Sequence, residues 1–194
     1  MIDVFEKIKP LLVFESEDDF YYLQILQRKK ENPEIGSNSR VIKNYYISSI
    51  DYLEKRYDEI KSLCNQFNAR AMLRMNKRSY SKVAFKTMQN IANSMANGEY
   101  SFIKKSYDRA CGNGHNDKLK TWIIDLDGNF DEPYLEAMVQ FIDDCQPQGN
   151  KLVTQLPTKN GIHLITKPFD LRDFKNKYPE IDIHKDNPVN LYVP

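Results

Sequence analysis

The chain has 194 residues, 28 Lys and Arg against 27 Asp and Glu, and a formal net charge of +1. That balance excludes a global field drawing it to nucleic acid or to a membrane surface, so any such binding must rest on a local patch. The length suits one domain with a sizeable core, and three widely spaced cysteines with no 18-residue apolar run lead us to expect reduced thiols in a soluble, cytoplasmic protein without a signal peptide.

In chain order, residues 2–13 can form a short helix that Pro10 ends or bends. Ser16, followed by Glu17, Asp18 and Asp19, has the form of an N-cap with acids in the first turn. Phe20, Leu23, Ile25 and Leu26 then predict a helix to about Lys30, stopped by Asn32-Pro33. Residues 1–35 thus read as a helical extension, and residues 36–120 as an αβ unit. Val41 to Ile47 reads as a strand. Ser48 or Ser49 caps a helix whose apolar residues Ile50, Leu53, Tyr57, Ile60, Leu63 and Phe67 recur at helical spacing.

Residues 69–79 predict a second strand. Ala71, Leu73 and Met75 share one face; Arg70, Arg74, Asn76 and Arg78 share the other, with Met72 as the exception. With Lys77 and Tyr80 beside them, Arg70, Arg74 and Arg78 are the candidate backbone-binding patch for a single-stranded nucleic acid, because cations track phosphates and aromatics stack on bases. The competing reading is a solvated edge strand protected by charge. A helix over about 81–95 follows, then a Gly/Asn-rich loop at Cys111-Gly112-Asn113-Gly114-His115.

The most informative stretch is Thr121-Trp122-Ile123-Ile124-Asp125-Leu126-Asp127-Gly128. In a strand Trp122, Ile124 and Leu126 take one face and Asp125 and Asp127 the other, with Cα atoms roughly 7 Å apart. Two acids on one face repel each other and are costly to desolvate. A hard divalent cation, Mg²⁺ or Mn²⁺, would remove that cost by taking carboxylate oxygens. The simpler reading is a strand running out into an acidic turn.

A helix from Glu132 or Pro133 to Asp144 and strands over 151–156 and 161–166 come next, joined by the turn Pro157-Thr158-Lys159-Asn160. In the second strand His163 shares a face with Gly161, whose missing side chain would let a ligand approach backbone and imidazole together. Lys159 is within reach of a phosphate there. A strand histidine bonded to a neighbour is the alternative. After a short helix over 171–177, Ile181-Asp182-Ile183-His184 and Val189 to Val193 predict a closing hairpin-like pair. Asp182 and His184 share a face, and Asp182 becomes a third carboxylate if its strand neighbours that of Asp125. Three carboxylates with phosphate oxygens suit two divalent ions in phosphoryl or nucleotidyl transfer. Strands alternating with helices predict an α/β (α+β) chain with helices against a mixed sheet.

Asp-hydrophobic-Asp, then small-x-His, then hydrophobic-Asp-hydrophobic, all strand-borne and in that order over residues 121–194, resembles the archaeo-eukaryotic primase superfamily, which includes the primase–polymerases. The resemblance implies a single catalytic domain with a mixed sheet of RRM-like type. It implies a metal-dependent nucleotidyltransferase of DNA replication or repair. Asp125, Asp127 and Asp182 would be the catalytic metal ligands, and Lys159, Gly161 and His163 the nucleotide-binding residues. A nucleoside triphosphate and a DNA or RNA single strand would be its ligands. No zinc module is visible, since Cys111 and His115 are only two potential ligands, and there is no P-loop. The chain stops after the third motif, so a separate helicase or zinc-bearing partner is expected. Asp186 is the rival third acid. Two alternatives use the same residues: an inactive nucleic-acid-binding module with a relic site, and a haloacid-dehalogenase-like phosphatase with Asp125 as nucleophile and Asp127 as acid/base. Asp125 to Glu136 also mimics a calcium loop, but its sixth position is Phe130, where a glycine is needed.

Overall fold

The computed structural model describes residues 1–113 and 120–194; Gly114 and His115 of the Gly/Asn-rich loop lie outside them. The chain opens with β1 (Ile2–Asp3), α1 (Phe5–Ile8) and a 3₁₀ turn over Lys9–Leu11. β2 (Asp19–Arg28), β3 (Ser39–Ile47), α2 (Ile50–Phe67), β4 (Arg70–Arg74), β5 (Arg78–Ser79), α3 (Tyr80–Ala96) and α4 (Ser106–Gly112) follow. The remainder is β6 (Trp122–Asp127), α5 (Glu132–Asp144), β7 (Leu152–Pro157), β8 (Gly161–Thr166), α6 (Leu171–Lys177), β9 (Asp182–His184) and β10 (Pro188–Val193). The chain is α/β as expected, but its strands form two antiparallel sheets instead of one mixed sheet. No helix among the described residues is long and apolar enough to cross a membrane.

The first sheet runs β1-β10-β4-β2-β3, with β5 also pairing to β2. α2 lies on one face through Leu53, Tyr57, Ile60 and Cys64, all buried at helical spacing. Ser49 caps it, accepting a hydrogen bond from the Tyr52 amide at 3.1 Å, and Asn68 ends it in the left-handed region at φ 44°. On the other face Phe20 and Tyr22 pack with Val83 of α3 and with Ala110 and Cys111 of α4. Cys111 is therefore a core thiol, pushed up to about 12 chiefly by burial.

The expected helix over 20–30 is the strand β2. A central strand covered on both faces is apolar on both, so its alternation disappears and its apolar spacing imitates a helix. Tyr21, Leu23 and Ile25 face α2 while Phe20 and Tyr22 face α3 and α4. The acids before it do not start a helix: the Asp19 carboxylate accepts from the amides of Glu15 at 2.7 Å and Ser16 at 3.2 Å, closing a turn.

The second sheet runs β7-β8-β6-β9. Its order of elements, β6-α5-β7-β8-α6-β9, interleaves two β-α-β crossovers around one hairpin, the split β-α-β connectivity. α5 buries Leu135, Met138 and Ile142, and α6 buries Phe174, against Ile124, Leu126 and Leu164 of the sheet. Asp131 caps α5 by accepting from the Tyr134 amide at 2.9 Å. The opposite face is apolar at one end, where Ile123, Leu156 and Ile165 join the core of the first sheet.

The expected closing hairpin does not form. β9 pairs with β6 in the second sheet, and β10 inserts between β1 and β4 in the first. Residues 185–187 cross from one sheet to the other. Asn76, 3% exposed, ties this crossing to the start of β6: its amide donates to the carbonyls of Thr121 and Lys185, each at 3.1 Å, and accepts from the Thr121 amide at 2.7 Å.

Candidate functional site

Residues directly opposite in an antiparallel ladder share a face, with Cα atoms about 4.5–5.5 Å apart. Asp125 is opposite His163 on β8 and Asp182 on β9; Asp127 is opposite Gly161; Ile123 is opposite Ile165 and His184. One face therefore carries Ile165 and Ile123, buried against the first sheet, with His184 beside them, then the row His163-Asp125-Asp182, then Gly161-Asp127. Asp125, Asp127 and Asp182, expected to share a face, do so. Asp186 does not join them, because it lies in the crossing beyond β9.

His163 Nε2 stands 3.2 Å from Asp125 Oδ1, and His184 Nε2 is 3.7 Å from Asp125 Oδ2. Burial holds the His163 pKa below the ordinary imidazole value, and the nearby His184 adds to this while Asp125 opposes it. Near neutral pH His163 is thus an uncharged donor to the Asp125 carboxylate. The carboxylates of Asp127 and Asp182 are exposed and make no hydrogen bond or ion pair among the described residues. His184 escaped the site expectation even though its spacing from Asp182 put it on this face; its closeness to Asp125 comes from a pairing register that local pattern does not encode.

For a divalent ion, the oxygen donors on neighbouring strands are of the right chemistry, and two of the three carboxylates are uncommitted. As they stand, no three Asp, Glu, His or Cys side chains among the described residues are gathered closely enough to hold a metal. Asp125 is instead turned toward the two imidazoles.

Asp125 and Asp127 form a ridge between two clefts. The larger, about 540 Å³, lies between the sheets and is lined by His163, His184, Thr158, Lys159 and Asn160 on one side, and by Arg28, Lys30, Glu31 and Arg70 on the other. The smaller, about 360 Å³, is lined by Asp182, Glu180, Ile181, Phe130 and Tyr134; the rings of Phe130 and Tyr134 stack at 5.2 Å between centroids.

Gly161 requires a correction. A Cβ built there would lie 1.9 Å from the Leu126 carbonyl oxygen and 3.1 Å from the Gly128 amide nitrogen. The space its missing side chain leaves is filled by the β6 backbone, so it admits the neighbouring strand and not a ligand. Lys159 does reach the larger cleft, with its side chain 60% exposed.

The basic patch is also corrected. Arg78, with no exposed side-chain surface, donates to Asp186 Oδ2 at 2.7 Å, to Oδ1 at 3.1 Å and to the Cys111 carbonyl at 2.9 Å. Arg74 donates to the Asp186 carbonyl and lies 3.6 Å from its carboxylate. Arg70 is 7% exposed and paired with Glu31. These guanidiniums are not an open track for phosphates. Arg74 and Arg78 instead hold the crossing segment that follows β9.

The haloacid-dehalogenase-like alternative needs a doubly wound parallel sheet around the acidic strand. Here both neighbours of β6 are antiparallel to it. Compared with family models, curated proteins and solved structures, the chain gives no significant match.

Proposed function

We propose that this chain is the catalytic core of a metal-dependent nucleotidyltransferase resembling the primase–polymerases, using a nucleoside triphosphate and a DNA or RNA template strand in replication or repair. The observation that carries the reading is the row of His163, Asp125 and Asp182 with Asp127 beside it, at the edge of a cleft whose far wall is cationic. The interleaved β-α-β connectivity of the second sheet agrees with an RRM-like core. Asp125, Asp127 and Asp182 would hold Mg²⁺ or Mn²⁺, which when bound neutralises charge on the attacking and leaving oxygens. Lys159 and the cations of the opposite wall would take the phosphates. His163, uncharged without a ligand, holds Asp125 in place and can turn its Nε2 proton toward a phosphate oxygen.

The second reading is an inactive nucleic-acid-binding module that keeps the same residues as a relic site. Two measurements separate the readings. Titration calorimetry with Mn²⁺ and nucleotide together should show metal-dependent binding that Asp125→Asn removes. Primer extension and de novo synthesis on single-stranded templates should yield product lost in Asp182→Asn. Template binding with neither metal-dependent nucleotide binding nor product would leave only the inactive module.

A further inference from the structure

The cationic wall of the larger cleft is not empty of anions. Arg70 Nε donates to Glu31 Oε2 at 3.0 Å, and its terminal nitrogen donates to Oε1, a fork-to-fork pair. Lys159 Nζ, from the turn between β7 and β8, lies 3.8 Å from the same Oε1. Cations carried by two different sheets therefore converge on one carboxylate. Burial works against the charge on Glu31, but the Arg70 hydrogen bond and the charges of Arg70, Lys159 and Arg28 outweigh it, so the carboxyl titrates below its usual range.

The backbone of Glu31 is pinned independently of its side chain. Its amide donates to the Arg28 carbonyl at 3.0 Å, and its carbonyl accepts from Asn68 Nδ2 at 3.0 Å. Its neighbour Asn32 is 5% exposed and donates to the Asn68 carbonyl at 2.9 Å. Releasing Arg70 and Lys159 then takes a rotamer change of one glutamate, with the turn left in place. Four cations, Arg28, Lys30, Arg70 and Lys159, line the cleft; of its three carboxylates Glu31 is the one set among them, while Asp125 and Asp127 stand on the ridge. The cations outnumber the carboxylates by one, and a guanidinium fork receives phosphate as it receives carboxylate.

We infer that Arg70 and Lys159 form a subsite for a polyphosphate chain, and that Glu31 is a displaceable internal carboxylate occupying it until that chain arrives. The inference deepens the proposed function, in which the ligand would be the triphosphate of a nucleotide. It is nonetheless read by binding alone, without metal, template or transfer.

The test is calorimetric titration of the full chain with inorganic tripolyphosphate, without divalent ions at low salt, with adenosine as the control that lacks phosphate. Tripolyphosphate should bind and adenosine should not. Glu31→Gln should bind tripolyphosphate roughly tenfold tighter, as when a competent state populated to about one tenth becomes the ground state. Lys159→Ala, at an exposed position, should weaken binding with an unchanged melting temperature, which keeps the test informative if Glu31→Gln folds poorly. Equal or weaker binding by a folded Glu31→Gln, or no effect of Lys159→Ala, would overturn the inference and leave Glu31–Arg70 a structural pair. Tripolyphosphate binding that behaves as expected, with no synthesis on any template, would instead count against nucleotidyl transfer only.

Discussion

The two sheets treat charge in opposite ways. On the first, Arg70 and Arg78 are buried and Arg74 is partly so, and each meets a carboxylate from a distant segment, Glu31 or Asp186. On the second, Asp125, Asp127 and Asp182 crowd one face at neighbouring register positions, and two of them have no partner among the described residues. Opposite charges brought together hold a fold. Like charges brought together cost stability and persist only where something else benefits from them. A row of arginines at strand spacing and a row of aspartates at strand spacing look equivalent in a sequence, and pairing is what separates them.

The comparison breaks most visibly at Asp186. Asp186→Ala leaves Arg78 without its carboxylate in a site with no exposed side-chain surface. Removing one partner of a buried pair costs about 3–5 kcal/mol, and because Asp186 is itself partly exposed the lower end is expected here. Urea unfolding should show the midpoint fall with an unchanged slope. A loss no larger than that of an exposed surface substitution would mean the arginines are not held by this pair. Asn76→Ala should follow, at about 2–3 kcal/mol, since it strands the part-buried amide of Thr121 and the carbonyls that Asn76 now serves.

How much of this was legible beforehand depended on the range of the forces involved. Period-two alternation puts Asp125 and Asp127 on one face, and the same rule applied to 181–184 puts Asp182 where β9 needs it. α2 is visible as apolar spacing with a polar cap, and α3, α5 and α6 as helical stretches close to their observed bounds. β2 was not visible, because a strand buried on both faces has no alternation to read. Nor was the path of the last two strands: β9 and β10 look like a hairpin until each is drawn into a different sheet. The partners of the arginines lie 39 residues away for Arg70–Glu31 and 108 for Arg78–Asp186. Such separations leave no local signature, and so in the sequence a paired set looks like an open patch.

Gly161 offers an effect of intermediate size. If the glycine existed to admit a ligand, Gly161→Ala would fold normally and lose nucleotide binding. The Leu126 carbonyl oxygen, only 1.9 Å from where an added methyl would sit, predicts the reverse: the β6–β8 ladder must shift, at a cost of about 1–3 kcal/mol, the usual range for overpacking. Thermal unfolding measured beside tripolyphosphate binding distinguishes the two. A fully stable Gly161→Ala would restore the ligand-space reading.

The smallest effect on stability carries the sharpest contrast. Asp127→Asn and Asp182→Asn each remove one charge from a crowded face and break no hydrogen bond or ion pair among the described residues. Each variant should therefore match or slightly exceed the parent in stability, within about 0.5 kcal/mol, as for surface substitutions that touch nothing. Under the proposed function both should lose Mn²⁺-dependent nucleotide binding, because the charge that costs the fold a little is the charge that holds the ion. Asp186→Asn, in the neighbouring segment, should show the opposite pattern: a clear drop in unfolding midpoint, with metal-dependent binding intact below the transition. If Asp127→Asn and Asp182→Asn instead destabilise the protein as Asp186→Asn does, their carboxylates have structural partners and the acidic row is no different in kind from the arginine row. If they are neutral for stability and for metal-dependent binding alike, the row is an acidic turn at a strand end, and the nucleotidyltransferase reading goes with it.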